Sequence, residues 1–336
     1  MSNTPVILYG YDASPFATKV KNLLLLKKIP HKRVDVSMML PRPEITDLLG
    51  VKYRRIPILA IGNDIYCDTS LIANVLERRF PTSQGYGTLF PPRVGTSKAD
   101  TGLAKAVTVY WNDKVVFPLG GNSLPYGKLG ASFLADRSQW AGAPIDPTTL
   151  AKGQGVRTST LASHFHLVEE QLSDGRQWLL DTEKPGLVDV DVHFLLSWLQ
   201  TFKNLKEIYD PAVVPKTLEW IARTTAYLKE QEQGKVASYE KISGDAAAKV
   251  VASASYEDEK VVGFVETEAK RLGVAFGDTV SVIPTDNAKI ATVGRLISLN
   301  REEFAIEVVG TVGKVRVHFP RLEFSLKIQT PATSKL

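Results

Sequence analysis

Between Tyr53 and Phe80 the chain reads YRRIPILAIGNDIYCDTSLIANVLERRF, and several of its residues have the chemistry of a ligand site. Pro57 stands inside an apolar run. It has no N–H to give a sheet ladder, so it must open the strand or break it, and a cis bond from Ile56 to Pro57 suits that position. Arg54 and Arg55 come just before it. Gly62-Asn63-Asp64 divides ILAI from IYC as a hairpin turn. Asp68-Thr69-Ser70 caps the helix LIANVLERRF, whose uncapped N–H groups would face an anion. Near the N-terminus, Ser14 precedes Pro15, a residue suited to a first helical turn. Taken alone, each stretch also reads as plain structure: a capped ββα unit and a serine N-cap.

The elements that hold these residues come in a recognisable order. PVILYG is a first buried strand and PFATKVKNLLLLKKI a helix; after Pro30, HKRVDVSM is a second strand and PEITDLLG a short helix. With the opening stretch the order is β-α-β-α-β-β-α. Residues 81–100, rich in Pro, Gly and Ser, read as a linker. From 100 to about 245 the pattern is helical, with a Gly/Pro-interrupted section before the amphipathic STLASHFHLVEEQLSDG. SYEDEKVVGFVETEAKRLG reads as one more helix. GDTVSVIP, GRLISLN, EFAIEVVG and KVRVHFP then alternate apolar and polar residues as a small antiparallel module, expected to pack on the helical domain.

On Ser14-Pro15-Phe16, Arg55-Ile56-Pro57 and Asp68-Thr69-Ser70, set in that order of elements, the chain resembles the glutathione transferases. The resemblance implies an α/β thioredoxin-like domain over residues 1–82 and an all-α domain over 100–245. To these is added a small, mostly β module over 256–330, similar to extra domains on some fungal transferase-like proteins. The central helix entry, WLLDTEKPGLVDVD, is also similar, although Gly186 and Val188 stand where the family more often has a hydroxyl and a small residue. Asp189 remains placed to cap that helix.

The resemblance also implies a ligand and a role for each residue. Glutathione, the co-substrate, would pair with the backbone of Ile56 beside cis-Pro57. Asp68 and Thr69, with Ser70 in reserve, would hold its γ-glutamyl end, and Arg55, or Arg54 or Lys52, its glycyl carboxylate. Ser14 and the first N–H groups after Pro15 would stabilise the thiolate, with Tyr11 as rival donor. Lowering a thiol by about two pKa units requires roughly 2.7 kcal/mol, within reach of a hydrogen bond and a helix terminus. Tyr9 is expected in the core, and Cys67, the sole cysteine, as a small buried residue. With no cysteine at position 14, disulfide exchange has no nucleophile there.

The electrophile would lie between the domains, near Tyr110, Trp111 and Phe117, under a section holding Tyr126, Phe133 and Trp140. His164 and His166, two apart, do not share a helix face, so no metal pair is expected. Lys314, Arg316, His318 and Arg321 read as a solvated basic edge. A formal charge of +5 with scattered Lys and Arg gives nucleic-acid binding no support, and no run reaches the ~20 apolar residues of a membrane span. Ser334-Lys335-Leu336 has the form of an address read by the peroxisomal import receptor, and a homodimer is usual in the family. The reaction is either conjugation to an electrophilic small molecule or a glutathione-dependent cis-trans isomerisation. A binding or regulatory protein that kept the fold without the chemistry is the alternative from another class.

Overall fold

A computed structural model describes residues 4–329; Ser334-Lys335-Leu336 lies outside the described residues. The first unit has the expected order: β1 (Val6–Gly10), α1 (Pro15–Lys27), β2 (His31–Asp35), α2 (Pro43–Thr46), β3 (Ile58–Ile61), β4 (Asp64–Cys67) and α3 (Thr69–Arg79). β1 runs parallel to β2, while β3 is antiparallel to both β1 and β4. Alternation along β1 divides the core: Val6 and Leu8 face α1 and α3, and Ile7 and Tyr9 face the other way.

The helical unit begins with α4 (Thr101–Ala106), which continues through a π-helical stretch, Val107–Val116, into α5 (Phe117–Gly121). After it come α6 (Ala131–Ala141), α7 (Pro147–Lys152), α8 (Gln154–Leu172), α9 (Leu187–Leu199) and α10 (Pro215–Gln233). α9 is apolar almost all round, as a helix buried between others must be, and it packs on α1 and α10. Asp189 fixes its start. One carboxylate oxygen accepts from Gly186 N at 3.0 Å, the other from Leu179 N at 2.9 Å and Trp220 Nε1 at 3.0 Å. A Cβ on Gly186 would come within 2.9 Å of Pro91, so the close pass of the linker accounts for the missing hydroxyl.

The rest of the chain departs from expectation in where it packs. β5 (Tyr239–Lys241) joins β2 in parallel, and α11 (Gly244–Ser253) comes next. The single helix expected after it is broken at Gly263, with φ +68°, into α12 (Glu259–Val262) and α13 (Glu266–Leu272). The strands β6 (Thr279–Pro284), β7 (Thr292–Leu299), β8 (Glu303–Gly310), β9 (Gly313–Pro320) and β10 (Phe324–Ile328) form the antiparallel set, the last of them unforeseen. They do not form a separate body on the helical domain. β9 lies parallel to β4, pairing Ile65 with Val317 and Tyr66 with His318, and one ten-stranded sheet results, in the order β10-β6-β7-β8-β9-β4-β3-β1-β2-β5. The physical reason is that β4 would otherwise end its sheet with a row of unpaired N–H and C=O groups. Ile7, Ile58 and Ile65 share one core with Leu296, Ile306, Val317 and Phe319.

The expected solvated edge at 314–321 is corrected at this seam. His318 is buried, with Nε2 3.1 Å from Asp64 and Nδ1 3.7 Å from Glu303. Arg79 also reaches Asp64, at 3.0 Å, and Arg78 reaches Glu303 at 2.7 Å and Glu257 at 2.8 Å. Arg316 lies over the ring of Tyr256 at 4.1 Å; Lys314 alone keeps to the exposed pattern, paired with Glu307. The β8–β9 turn docks on the loop after α2, where a Cβ on Gly310 would fall on Leu48 O and within 2.6 Å of Gly50 N. Gly310→Ala is therefore expected to cost about 2 kcal/mol or more, read as a lower urea midpoint with unchanged slope.

Candidate functional site

The Ile56–Pro57 bond is cis, as expected, and sets the turn into β3. Across the sheet, Asp68 has φ +75° at the N-cap of α3, where its carboxylate accepts from Ser70 N at 3.0 Å and Ser70 Oγ at 2.6 Å. Ser70 is thus held by Asp68, and Thr69 beside it is buried. At the other helix, Ser14 caps α1: Oγ accepts from Ala17 N at 3.2 Å, and Ser14 N donates to Tyr11 O at 3.1 Å. Capping takes one lone pair of the hydroxyl. Its O–H has no acceptor among the described residues, so Ser14 can cap the helix and still donate.

Tyr11 accepts from Arg137 Nη2 at 3.4 Å, Arg137 pairs with Asp136, and Asp136 with Arg54 at 2.7 Å. This chain of contacts ties the 11–14 turn, α6 and the residues before Pro57 into one rim. Tyr9 and Cys67 behave as expected: both are fully buried, and burial raises the hydroxyl and the thiol alike.

Arg55 and Arg54 do face carboxylates, but ones of the chain itself. Arg55 Nη2 meets Asp286 and also donates to Asn287 O at 2.6 Å, with Trp140 5.9 Å above the guanidinium. The other oxygen of Asp286 takes Lys114 Nζ at 2.7 Å. Burial opposes the charge on Asp286, yet the hydrogen bonds from Arg55 and Lys114 outweigh it and hold the carboxyl at about 2. Lys52 donates to Thr46 O on the exposed surface. Arg55, expected at the glycyl carboxylate of a ligand, is thus engaged in this structure by a carboxylate of the chain itself.

Of the aromatics proposed for an electrophile, Phe117 is packed between Phe16 and Trp198 and Tyr126 is buried, while Tyr110 is exposed. Trp111 donates to His164 Nδ1 at 3.2 Å. Phe133 lies under Arg137 and Trp140 over Arg55, so these two, on α6, do border the rim. No residue of α6 is fully buried. Among the described residues no cluster could hold a metal ion.

One buried group escaped the sequence reading. Lys19, on α1, is enclosed by Asp113 at 3.1 Å and by Asp191, which it also contacts. Burial pushes Asp113 up, Lys19 pulls it back, and the nearby charge of Asp68 adds to the rise. A lysine-bearing helix such as TKVKNLLLLKK reads as a surface helix, and only the fold shows which lysines turn inward: Lys27, beside Glu77, is buried as well.

A sequence model described as the glutathione S-transferase N-terminal domain matches residues 8–84, and one described as a domain of unknown function (DUF7962) matches residues 123–233. Among solved structures, the chain is similar to a GST-like protein from Pseudomonas syringae, with 25% identity over 96% of this chain and 99% of that one, and a TM-score of 0.69. That overlap takes in the C-terminal strands. It is also similar to rice GST1 solved with glutathione (17% identity, 74% of this chain, 97% of that one, TM-score 0.49). A Tau class glutathione S-transferase from mango gives 16%, 66%, 89% and 0.48. No curated protein sequence matches the chain.

Proposed function

We propose, for a chain that belongs to the glutathione transferase family, that its first domain binds glutathione and holds the thiol as thiolate for attack on an electrophilic small molecule. The observation that carries this reading is the free O–H of Ser14 at the start of the thirteen-residue α1. Donor and helix terminus together favour an anion at that point. The backbone of Ile56, turned by cis-Pro57, pairs with the cysteinyl part, and Asp68 with the α3 N-terminus takes the γ-glutamyl end. Asp68 faces the ammonium and the Thr69 N–H side the carboxylate. The thiol proton leaves to solvent, and the thiolate sulfur then forms a bond to the electrophilic carbon, which enters beside α6, as a leaving group departs from that carbon with its electron pair or a conjugated double bond takes the pair and is protonated from solvent.

Calorimetric titration of glutathione, with the bound thiol followed by its ultraviolet absorbance against pH, tests this. The expected result is binding with the thiol titrating about two units below its free value. Binding with an unshifted thiol would make the protein a carrier and not a catalyst. No binding would remove the function and leave the fold.

A further inference from the structure

We infer that Asp286, carried by the C-terminal strands, is a built-in competitor for Arg55 and sets how strongly the site takes the glycyl carboxylate of glutathione. The inference rests on the functional reading above and adds to it a residue that discriminates between ligands. Arg55 is the cation nearest Pro57 in sequence, and Trp140 of α6 lies over its guanidinium at 5.9 Å, so it belongs to the same cleft edge. Its guanidinium is met by a carboxylate and a carbonyl of one loop, Asp286 and Asn287, between β6 and β7. That is the donor–acceptor pairing a ligand carboxylate would use.

The contact is not sealed in the core. The Arg55 side chain is 21% exposed and that of Asp286 35%, so an incoming anion has access to both. Lys114 gives Asp286 a second place to go, since it already binds the carboxylate's other oxygen and also reaches Glu323 at 3.0 Å. The loop is tied in turn to α6, where Ala288 N donates to Trp140 O at 2.9 Å. Asp286 thus holds Arg55 while no anion is bound, and yields it, partly or wholly, when a carboxylate arrives. The cost of that exchange falls on the glycyl end alone. A ligand without that charge never asks for Arg55.

The test compares glutathione with its glycyl monoethyl ester, by calorimetry at low salt, on the wild type, Asp286→Asn and Asp286→Asn/Arg55→Gln. Asp286→Asn is expected to tighten glutathione about tenfold and the ester less than about twofold, and the second substitution to abolish the gain. Weaker binding of glutathione by Asp286→Asn would show that Asp286 positions Arg55 instead and overturn the inference. So would an equal gain for both ligands. Absence of binding of either ligand by all three proteins would overturn the functional reading, and this inference with it.

Discussion

Ser14→Ala is expected to keep glutathione bound and to lower turnover with a reactive electrophile by about 10- to 100-fold at neutral pH. A hydrogen bond to a charged group contributes roughly 1.5–3 kcal/mol, and that is the share of thiolate stabilisation the hydroxyl can supply beyond the helix terminus. The loss should fall on kcat more than on KM, because the donor acts on the charge and not on the tripeptide's other contacts. It should also shrink as pH rises towards the free thiol's own titration, where the thiolate forms unaided. The same substitution removes the cap on Ala17 N, at about 1 kcal/mol of stability, which a melting curve reads separately. A variant whose bound thiol titrates like that of the wild type would reduce Ser14 to a cap and move the test to Tyr11.

The second large effect lies at the seam. Asp64 is fully buried and receives His318, Arg79 and the backbone N–H of Glu257 at 2.6 Å. Asp64→Ala strands a buried cation and an N–H at once, for which about 3–5 kcal/mol of destabilisation is expected in urea. The pH dependence has a definite sign. Burial works against the charge on His318, but Asp64 and Glu303 prevail and raise it from 6.5 to about 9. Its contribution is therefore complete below pH 6.5 and is lost as pH climbs to about 9, an alkaline decline on the order of 3 kcal/mol. Burial likewise disfavours the charges of Asp64 and Glu303, yet His318 and the arginines hold both carboxyls below their usual range. Their contributions are present above that range and fade as pH falls. His318→Gln should lack the alkaline decline; if the variant keeps it, another group is responsible.

What the sequence disclosed was whatever acts on its own backbone. Pro57 removes a donor at its own position, Ser14 caps the helix it precedes, and Asp68 starts the next one, so the frame of the site could be read locally. Residues whose meaning depends on distant partners could not. Lys19 meets Asp113 across 94 positions, Arg55 meets Asp286 across 231, and His318 meets Asp64 across 254. Period-two alternation in KVRVHFP identified a strand but is silent on its neighbour. Helical spacing around Val262 concealed the stop at Gly263, although that glycine was in view.

The pairing of β9 on β4 has a consequence for how the protein is made. A ribosome delivers β4 some 250 residues before the strand that flanks it, so while the middle of the chain is being synthesised the first domain has a bare strand edge and only part of its core. Until that strand arrives, β4 is an unpaired edge of the kind nascent chains aggregate through. Completion of the first domain's sheet edge thereby waits on a strand some 250 residues downstream. Premature termination before β9 would leave β4, and with it the N-terminal domain, without its flanking strand.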